Sequence, residues 1–409
     1  MTNVMTREPG SRSGRRRSRA RRRLAGRLVV LFVLAALIAG GVAYVARRDP
    51  APNAPAGDAP AGRQRTLLVA GTVVDDLSQQ ADSLTLFGIE PDATEPIMLF
   101  IPAGTFGQIP GQSSIESIGK ALTFGREALQ QTSVENLLGI AIDDTVVLTD
   151  VALGQIIEEL GGIDIVVGET LYEADGTGSR VPAFPTGSVH MRGAQAVTYL
   201  TFRAEGETEL DRFVRAQDVW EAVFERAGST SVLTTAIDEA ASLADVDAQV
   251  LASMLGAFAS AAADERSYDV LPVDSVGAGS LDEVYEVERE ALADRIVMHF
   301  GGSLLPGVTD PDARPAIEVR NGSGIPEAGA PAAETLIRAG FKLEVTGNTG
   351  RFDEDVTRIV VYGDDAEAMA LAERARALLG LGRIEVGTRA QTVVDLTIVV
   401  GRDYAGGKV

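Results

Sequence analysis

Nineteen consecutive uncharged residues, Leu28 to Ala46, constrain this chain more than any other feature. As a helix they span roughly 28 Å, about the hydrocarbon core of a bilayer. Arginines crowd the residues before them, from Arg12 to Arg23 and again at Arg27. Positive flanks stay on the cytoplasmic side. Residues 1–27 therefore read as a basic cytoplasmic tail, 28–46 as a transmembrane signal anchor, and the remainder as exported. The expected location is the cell membrane, crossed once, with the main body extracellular. A cleaved signal peptide is the rival, but its apolar core usually runs to only about 7–15 residues. Residues 47–65 hold Pro50, Pro52, Pro55 and Pro60 among Ala and Gly. Such a segment forms neither core nor stable helix and reads as a stalk.

Charge divides the chain the same way. The net charge of −21 combines about +11 in residues 1–48 with about −32 in the rest. So acidic a body repels phosphate backbones, and no nucleic-acid partner is expected. There is no cysteine, which excludes disulfides, thiolate metal sites and cysteine nucleophiles. Only His190 and His299 could serve a metal centre or a Ser-His-Asp triad, so a histidine-rich centre is excluded.

The exported part reads as two folded bodies. In residues 66–305, buried-strand patterns at Thr66–Ala70, Leu84–Ile89 and Ile97–Ile101 precede a helical stretch around Ile115–Leu138. A strand at Asp144–Leu148 leads to Asp150, which reads as the cap of a helix ending at Gly161-Gly162. Further helices are expected at Gly193–Phe202, Leu210–Arg226, twice within 231–263, and near Val287–Phe300. This mixture predicts an α/β fold, an α-β-α sheet domain. Three prolines within residues 306–315 mark a linker. Residues 316–409 run β-α-β then β-α-β-β, which predicts a small α+β module of ferredoxin-like type. Within it Asn321-Gly322-Ser323-Gly324 reads as a tight turn, with phosphate binding as its rival.

Several stretches together resemble the LytR-CpsA-Psr family of cell-envelope proteins. They are Asp82–Leu86 followed by Met98–Pro102, Thr132–Ile140 with Ile142-Asp143, Leu160–Val167, and Pro185–Ala196 leading to Tyr199. The chain after 315 looks like the LytR-type C-terminal domain of such proteins, through Val319–Pro326 and Val399–Tyr404. The resemblance implies an outer-face enzyme that moves glycopolymers from a polyprenyl-pyrophosphate carrier to peptidoglycan. It implies arginines on the pyrophosphate, Mg2+ on aspartates, and an apolar pocket for the lipid tail. Planar guanidinium groups hold phosphate oxygens bidentately, and the metal neutralises the departing charge.

Carried over residue by residue, the family site is incomplete here. Gly71-Thr72-Val73 stands where the family has Gly-Ser-Asp; Asp75 or Asp76 could substitute only if the loop rearranges. Gln80-Ala81-Asp82-Ser83 loses an arginine and keeps Asp82 as the candidate metal ligand. Ala103-Gly104 replaces Arg-Asp after Ile101-Pro102, and Ser117-Ile118-Gly119 replaces Lys-Ile-Asn. The Tyr-x-Arg-x-Arg pattern survives as Tyr199 and Arg203. The last motif keeps Arg212, Arg215 and Gln217. The candidate pyrophosphate ligands are thus Arg203, Arg212, Arg215 and Gln217.

Each has a plainer reading. Arg212 and Arg215, three apart on a helix, could form surface ion pairs with Glu207, Glu209, Asp211 or Asp218. Arg203 could serve a helix end, and Asp82 a turn. His190 reads as structural. Trp220 with Val219, Val223 and Phe224 reads as core, with a lipid-tail pocket as the alternative. Losing one charge-stabilising donor typically costs about 100- to 1,000-fold in rate. The expectation is therefore a degenerate family member that binds polyprenyl phosphate or glycopolymer without efficient turnover. The alternative is an active magnesium-dependent phosphotransferase with an altered site. Peptidoglycan is a further candidate partner.

Overall fold

The structure is a computed structural model. It describes residues 63–405 except 74–78, 92–94, 113, 175–179, 205–206, 242–246, 277–282, 309–310 and 389–390. The expected tail, the anchor and nearly all of the stalk lie outside the described residues, as do Asp75 and Asp76. Among the described residues no helix is long and apolar enough to cross a membrane.

The first body is built on strands β1 (Arg65–Thr72), β2 (Ser83–Ile89) and β3 (Ile97–Ile101). These pair antiparallel in sequence order, Leu68 opposite Leu86 and Leu86 opposite Leu99. Helix α1 (Ala121–Leu138) follows, then β4 (Asp144–Thr149), which joins the far side of β1 in parallel. The strands alternate between two cores because successive side chains point to opposite faces. Leu67, Val69, Phe87, Met98 and Phe100 face one core, and Leu68, Ala70, Leu86, Leu99 and Ile101 the other.

Helix α2 (Asp150–Glu159) opens the first layer. Its cap is not the expected Asp150 but Thr149, whose hydroxyl accepts the Ala152 N–H at 3.0 Å. Asp150 sits in the first turn instead, where a negative charge suits the helix dipole. Next come strand β5 (Ile163–Val167), the hairpin β6 (Leu171–Ala174) and β7 (Arg180–Phe184), and β8 (Gly187–Met191), which returns to β5. Helices α3 (Gly193–Thr201), α4 (Glu209–Ala227), α5 (Thr230–Ala241) and α6 (Ala248–Ser260) complete this layer. Phe87 reaches into it, meeting Trp220 at 5.5 Å and Phe258 at 5.1 Å, both edge-on. That geometry suits ring quadrupoles. Strand β9 (Ser267–Val270) edges the sheet beside β3. The ribbon β10 (Val273–Val276) and β11 (Val284–Val287) leads to α7 (Arg289–Phe300), which covers the second core with α1. The α-β-α expectation holds. The expected helix from Ile115 begins only at Ala121, because Ile115–Ser117 pairs as a short strand with Phe106–Gln108.

The C-terminal body corrects the ferredoxin-like expectation. Strand β12 (Ala316–Asn321), helix α8 (Ala330–Arg338) and β13 (Lys342–Asn348) form one βαβ unit. Strand β14 (Arg358–Val361), helix α9 (Ala366–Leu379) and β15 (Arg383–Val386) form the second. The order is β13-β12-β16-β14-β15, with β16 (Leu396–Val400) in the middle. Each βαβ pair is adjacent and parallel, and only β14–β16 is antiparallel. A ferredoxin-like sheet splits its βαβ pairs. Here the fifth strand, buried at all of its residues, takes the centre and leaves each pair intact. Asn321 ties the glycine turn: its Oδ1 accepts from Ser323 N–H at 3.1 Å and its Nδ2 donates to Ile325 O at 2.7 Å. The boundary segment is also fastened, for Arg314 is 6% exposed and donates to Asn136 O at 2.6 Å.

Candidate functional site

Strands β1 and β4 run parallel and end at the same pole of the sheet. A crevice beyond such strand ends is the usual place for a ligand in an open α/β sheet. Two chambers meet there. The first is apolar and narrow, about 100 Å³, lined by residues such as Val69, Phe100, Leu148, Leu153, Leu200 and Trp220. The second is polar, about 300 Å³, and holds Gln80, Glu116, Lys120, Arg203 and Glu283. Asp82, Glu209 and Arg212 line both.

Local structure fixes each group. Asp82 precedes β2, and its N–H donates to Gly71 O at 2.9 Å, so the β1–β2 ladder holds it at the crevice. Arg212 and Glu209 lie in the first turns of α4. A reciprocal capping box between Thr208 and Asp211 sets where that helix begins. The Arg212 guanidinium has no hydrogen bond or ion pair among the described residues. Burial, with the charge of Arg203 behind it, pulls its pKa down. Arg203, exposed, is likewise unpaired among the described residues.

The acids nearby are engaged with backbone. Glu209 is 6% exposed, and its Oε1 accepts the Ala103 N–H at 2.7 Å. Burial pushes its pKa up, against the pull of that bond and of Arg212. Glu283 accepts the Glu209 N–H and, at 2.8 Å, the Tyr285 hydroxyl. Burial and this carboxylate push the Tyr285 pKa far above its usual range. Lys120 pairs at 2.9 Å with Glu116, four residues back in the short strand Ile115–Ser117. A Cβ on Gly104 would lie 2.2 Å from Glu283 O.

Of the residues singled out in the sequence, Asp82, Arg203 and Arg212 come together. Arg215 and Gln217 do not: neither lines either chamber. Arg215 is 6% exposed, paired with Glu207 and bonded to Phe202 O. Trp220 is both core and chamber wall: its ring meets Phe87 edge-to-face and stacks on Phe224, and the residue also lines the apolar chamber. His190 has partners: Nδ1 lies 2.9 Å from Asp164 Oδ1 and Nε2 lies 3.1 Å from Gly161 O. Sequence reasoning missed Lys120 and Glu283 altogether and read Glu209 as a surface acid. The acid three residues before Arg212, where the family motif has Asp-x-x-Arg, was the available signal for Glu209.

Among the described residues no three of His, Cys, Asp and Glu are grouped to hold a metal ion. Magnesium, however, is often held by one or two carboxylates together with substrate phosphates. Asp82 fits that limited role.

Residues 56–286 match the LytR_cpsA_psr family. Residues 314–404 match the domain described as LytR cell envelope-related transcriptional attenuator. Among individual proteins, the polyisoprenyl-teichoic acid–peptidoglycan teichoic acid transferase TagU of Bacillus anthracis is 26% identical over 156 residues, 38% of this chain and 50% of that protein. The transferase TagV of Bacillus subtilis is 30% identical over 156 residues, 37% of this chain and 40% of that protein. The chain thus spans half the length of these relatives or less. The crystal structure of B. subtilis TagV aligns with a TM-score of 0.49 at 20% identity, covering 59% of this chain and 99% of that one.

Proposed function

The chain belongs to the LytR_cpsA_psr family and carries a LytR-type C-terminal domain; from that membership we propose that it binds the phosphate head of a polyprenyl-linked glycopolymer at the outer face of the cell membrane, held by residues 28–46, without efficient turnover. Arg212 carries this reading. A partly buried guanidinium with no acid partner among the described residues is costly, and an anion removes that cost. Arg203 adds a second donor set in the same chamber.

Weak turnover follows from what surrounds them. Transfer of a pyrophosphate-linked group depends on positioning and charge stabilisation. The polar chamber offers Lys120, Arg203 and Arg212 against Asp82, Glu116, Glu209 and Glu283, so positive charge does not prevail. Where the family places Arg-Asp, Ala103 gives its N–H to Glu209 and Gly104 lies against the Glu283 backbone. The apolar chamber falls below the roughly 300–1,000 Å³ of ordinary ligand sites. A lipid tail must therefore displace side chains or leave the protein.

Asp82 supports a second reading, an altered but working magnesium-dependent phosphotransferase. Asp82 would hold the ion together with phosphate oxygens, and the ion would neutralise charge on the departing phosphate. The arginines then orient the phosphates.

The two separate in one experiment. The purified full chain in detergent is titrated with a short-chain polyprenyl pyrophosphate, with and without magnesium, beside an Arg203→Ala/Arg212→Ala variant, and phosphate release is followed. Arginine-dependent binding without release supports the first reading. Release that needs both magnesium and the arginines establishes the second. Absence of binding by the wild type overturns both.

A further inference from the structure

A carboxylate of the chain itself sits where the start of α4 meets the polar chamber. Glu283, the residue before β11, lines that chamber with Arg203 and Arg212. Strand β11 alternates, with Tyr285 and Val287 buried and Glu286 exposed. Tyr285 is 1% exposed, lies beside Thr105, and donates its N–H to Gly104 O at 3.2 Å. Gly104 has no side chain, so the ribbon closes directly on the Ala103-Gly104 turn. That anchorage delivers the Glu283 carboxylate to α4. One oxygen, Oε2, accepts both the Glu209 N–H and, at 2.8 Å, the Tyr285 hydroxyl. Glu209 is the first residue of α4, and its N–H is among those that a helix leaves without an internal partner. The Asp211 N–H goes to the Thr208 hydroxyl at 3.2 Å. Thr208 therefore caps α4 from its own chain end, and Glu283 caps it from the ribbon.

Helix α4 is nineteen residues long, and the N-terminal end of such a helix, with Arg212 in its first turns, favours an anion. Glu283 forms no ion pair among the described residues, so the helix end and the phenol are what stabilise its charge. That charge reaches Arg212: burial and Arg203 lower the pKa of this guanidinium, and Glu209 and Glu283 work against them. The Glu209 carboxylate takes the Ala103 N–H and Glu116 pairs with Lys120, so neither meets the head of the helix. We propose that Glu283 is the site's built-in anion, seated where a phosphate oxygen would bond at the start of α4, and that it limits the negative charge the chamber admits. A phosphate must displace this carboxylate or lie against it, and like charges so placed repel. Repulsion grows with ligand charge, so Glu283 discriminates against pyrophosphate more than against phosphate. The proposal rests on the phosphate reading of Arg212 and adds the residue that opposes it.

The test titrates the purified full chain in detergent, by calorimetry, with inorganic pyrophosphate and separately with inorganic phosphate, both without divalent metal. Glu283→Gln keeps the side-chain shape and an oxygen for both donors while removing the charge. It should melt as the wild type does and bind pyrophosphate at least tenfold more tightly, with a smaller gain for phosphate. Glu286→Gln removes the same charge from the exposed side of the same strand and should bind as the wild type does. In a Glu283→Gln/Arg212→Ala double variant the gain should vanish. Arg212-dependent binding that is equal in the wild type and Glu283→Gln overturns the proposal and leaves the phosphate reading standing. No pyrophosphate binding by either protein overturns both. A gain matched by Glu286→Gln, or one that survives the loss of Arg212, also overturns the proposal, because the charge then acts through the whole body or at another place.

Discussion

Asn136, in the last turn of α1, donates its side-chain amide to the carbonyl oxygen of Leu343 in β13 at 2.7 Å. Both residues are buried, and Arg314 donates to the Asn136 backbone oxygen from the other side. The C-terminal body is therefore bonded to the part of α1 that follows its break at Gly125-Arg126, where the backbone leaves helical geometry. Asn136→Ala leaves Leu343 O without its partner in a dry place, which costs about 1–3 kcal/mol. Guanidinium unfolding of the variant should show that loss, with the C-terminal body melting first. Unchanged stability would mean the contact does not join the two bodies.

One residue earlier the same junction contains a titrating group. Glu135 is fully buried, and its Oε1 accepts the Ile142 N–H at 2.8 Å. Burial pushes its pKa up to about 7, with Arg338 pulling the other way and Glu334 adding to the rise. The folded chain therefore holds this proton at a pH where an unfolded one, with an ordinary carboxyl pKa near 4.5, has lost it. Stability from this group is full below about 4.5 and is lost as pH rises through about 7. The swing is on the order of 3 kcal/mol. Glu135→Gln keeps the acceptor and removes the proton, so its urea stability should gain on the wild type between pH 5 and pH 8. Parallel curves for the two proteins would refute the assignment.

The strands were legible because burial on both faces writes apolar runs. Leu67–Ala70 and Ile97–Ile101 could only be central. The two βαβ units were legible too, but their arrangement was not. Nothing local in Leu396–Val400 says that it inserts between β12 and β14, since strand order is a tertiary choice. The hairpin at Leu171–Ala174 and Arg180–Phe184 escaped because Tyr172, Glu173, Arg180 and Val181 are exposed and lack an apolar pattern. Arg203 and Arg212 were found through the family resemblance, as the residues matching its arginine motifs. The error at Arg215 came from helix geometry. Three residues turn a helix by about 300°, so Arg212 and Arg215 are near neighbours but not coincident. Here α4 is the wall between the chambers and a separate groove beside Tyr199, and each arginine enters a different one. Glu207, which claims Arg215, lies eight residues back, just before the N-cap of α4.

That division makes a clean contrast. Arg215→Ala leaves the 11%-exposed Glu207 side chain without its cation, and breaking such a buried pair typically costs about 3–5 kcal/mol. Its main readout should be a fall in melting temperature. Arg212→Ala removes a cation with no ion pair among the described residues, so it should leave stability within about 1 kcal/mol and cost pyrophosphate affinity at least tenfold. Equal melting temperatures for the two variants would contradict the pairing.

The family's polar side chains at Gly104 and Gly119 cannot simply be put back. A Cβ on Gly104 would sit 2.2 Å from Glu283 O, and Tyr285 N–H donates to Gly104 O at 3.2 Å, so β11 occupies the space that a side chain needs. At Gly119 a Cβ would come within 2.6 Å of Ala81 O and 3.1 Å of Ala103 Cβ. The same glycine bonds both of those backbones: its carbonyl accepts from Ala81 and its N–H donates to Ala103, each at 3.0 Å. Side chains at either position must push apart backbone rather than flexible side-chain ends. Gly104→Asp and Gly119→Asn should each destabilise by about 1–3 kcal/mol, as overpacking does, and neither should raise phosphate release. Thermal melts and the release assay read both effects. A stable Gly104→Asp variant with new turnover would mean that the β11 ribbon yields readily and that the altered site is one substitution from a working one.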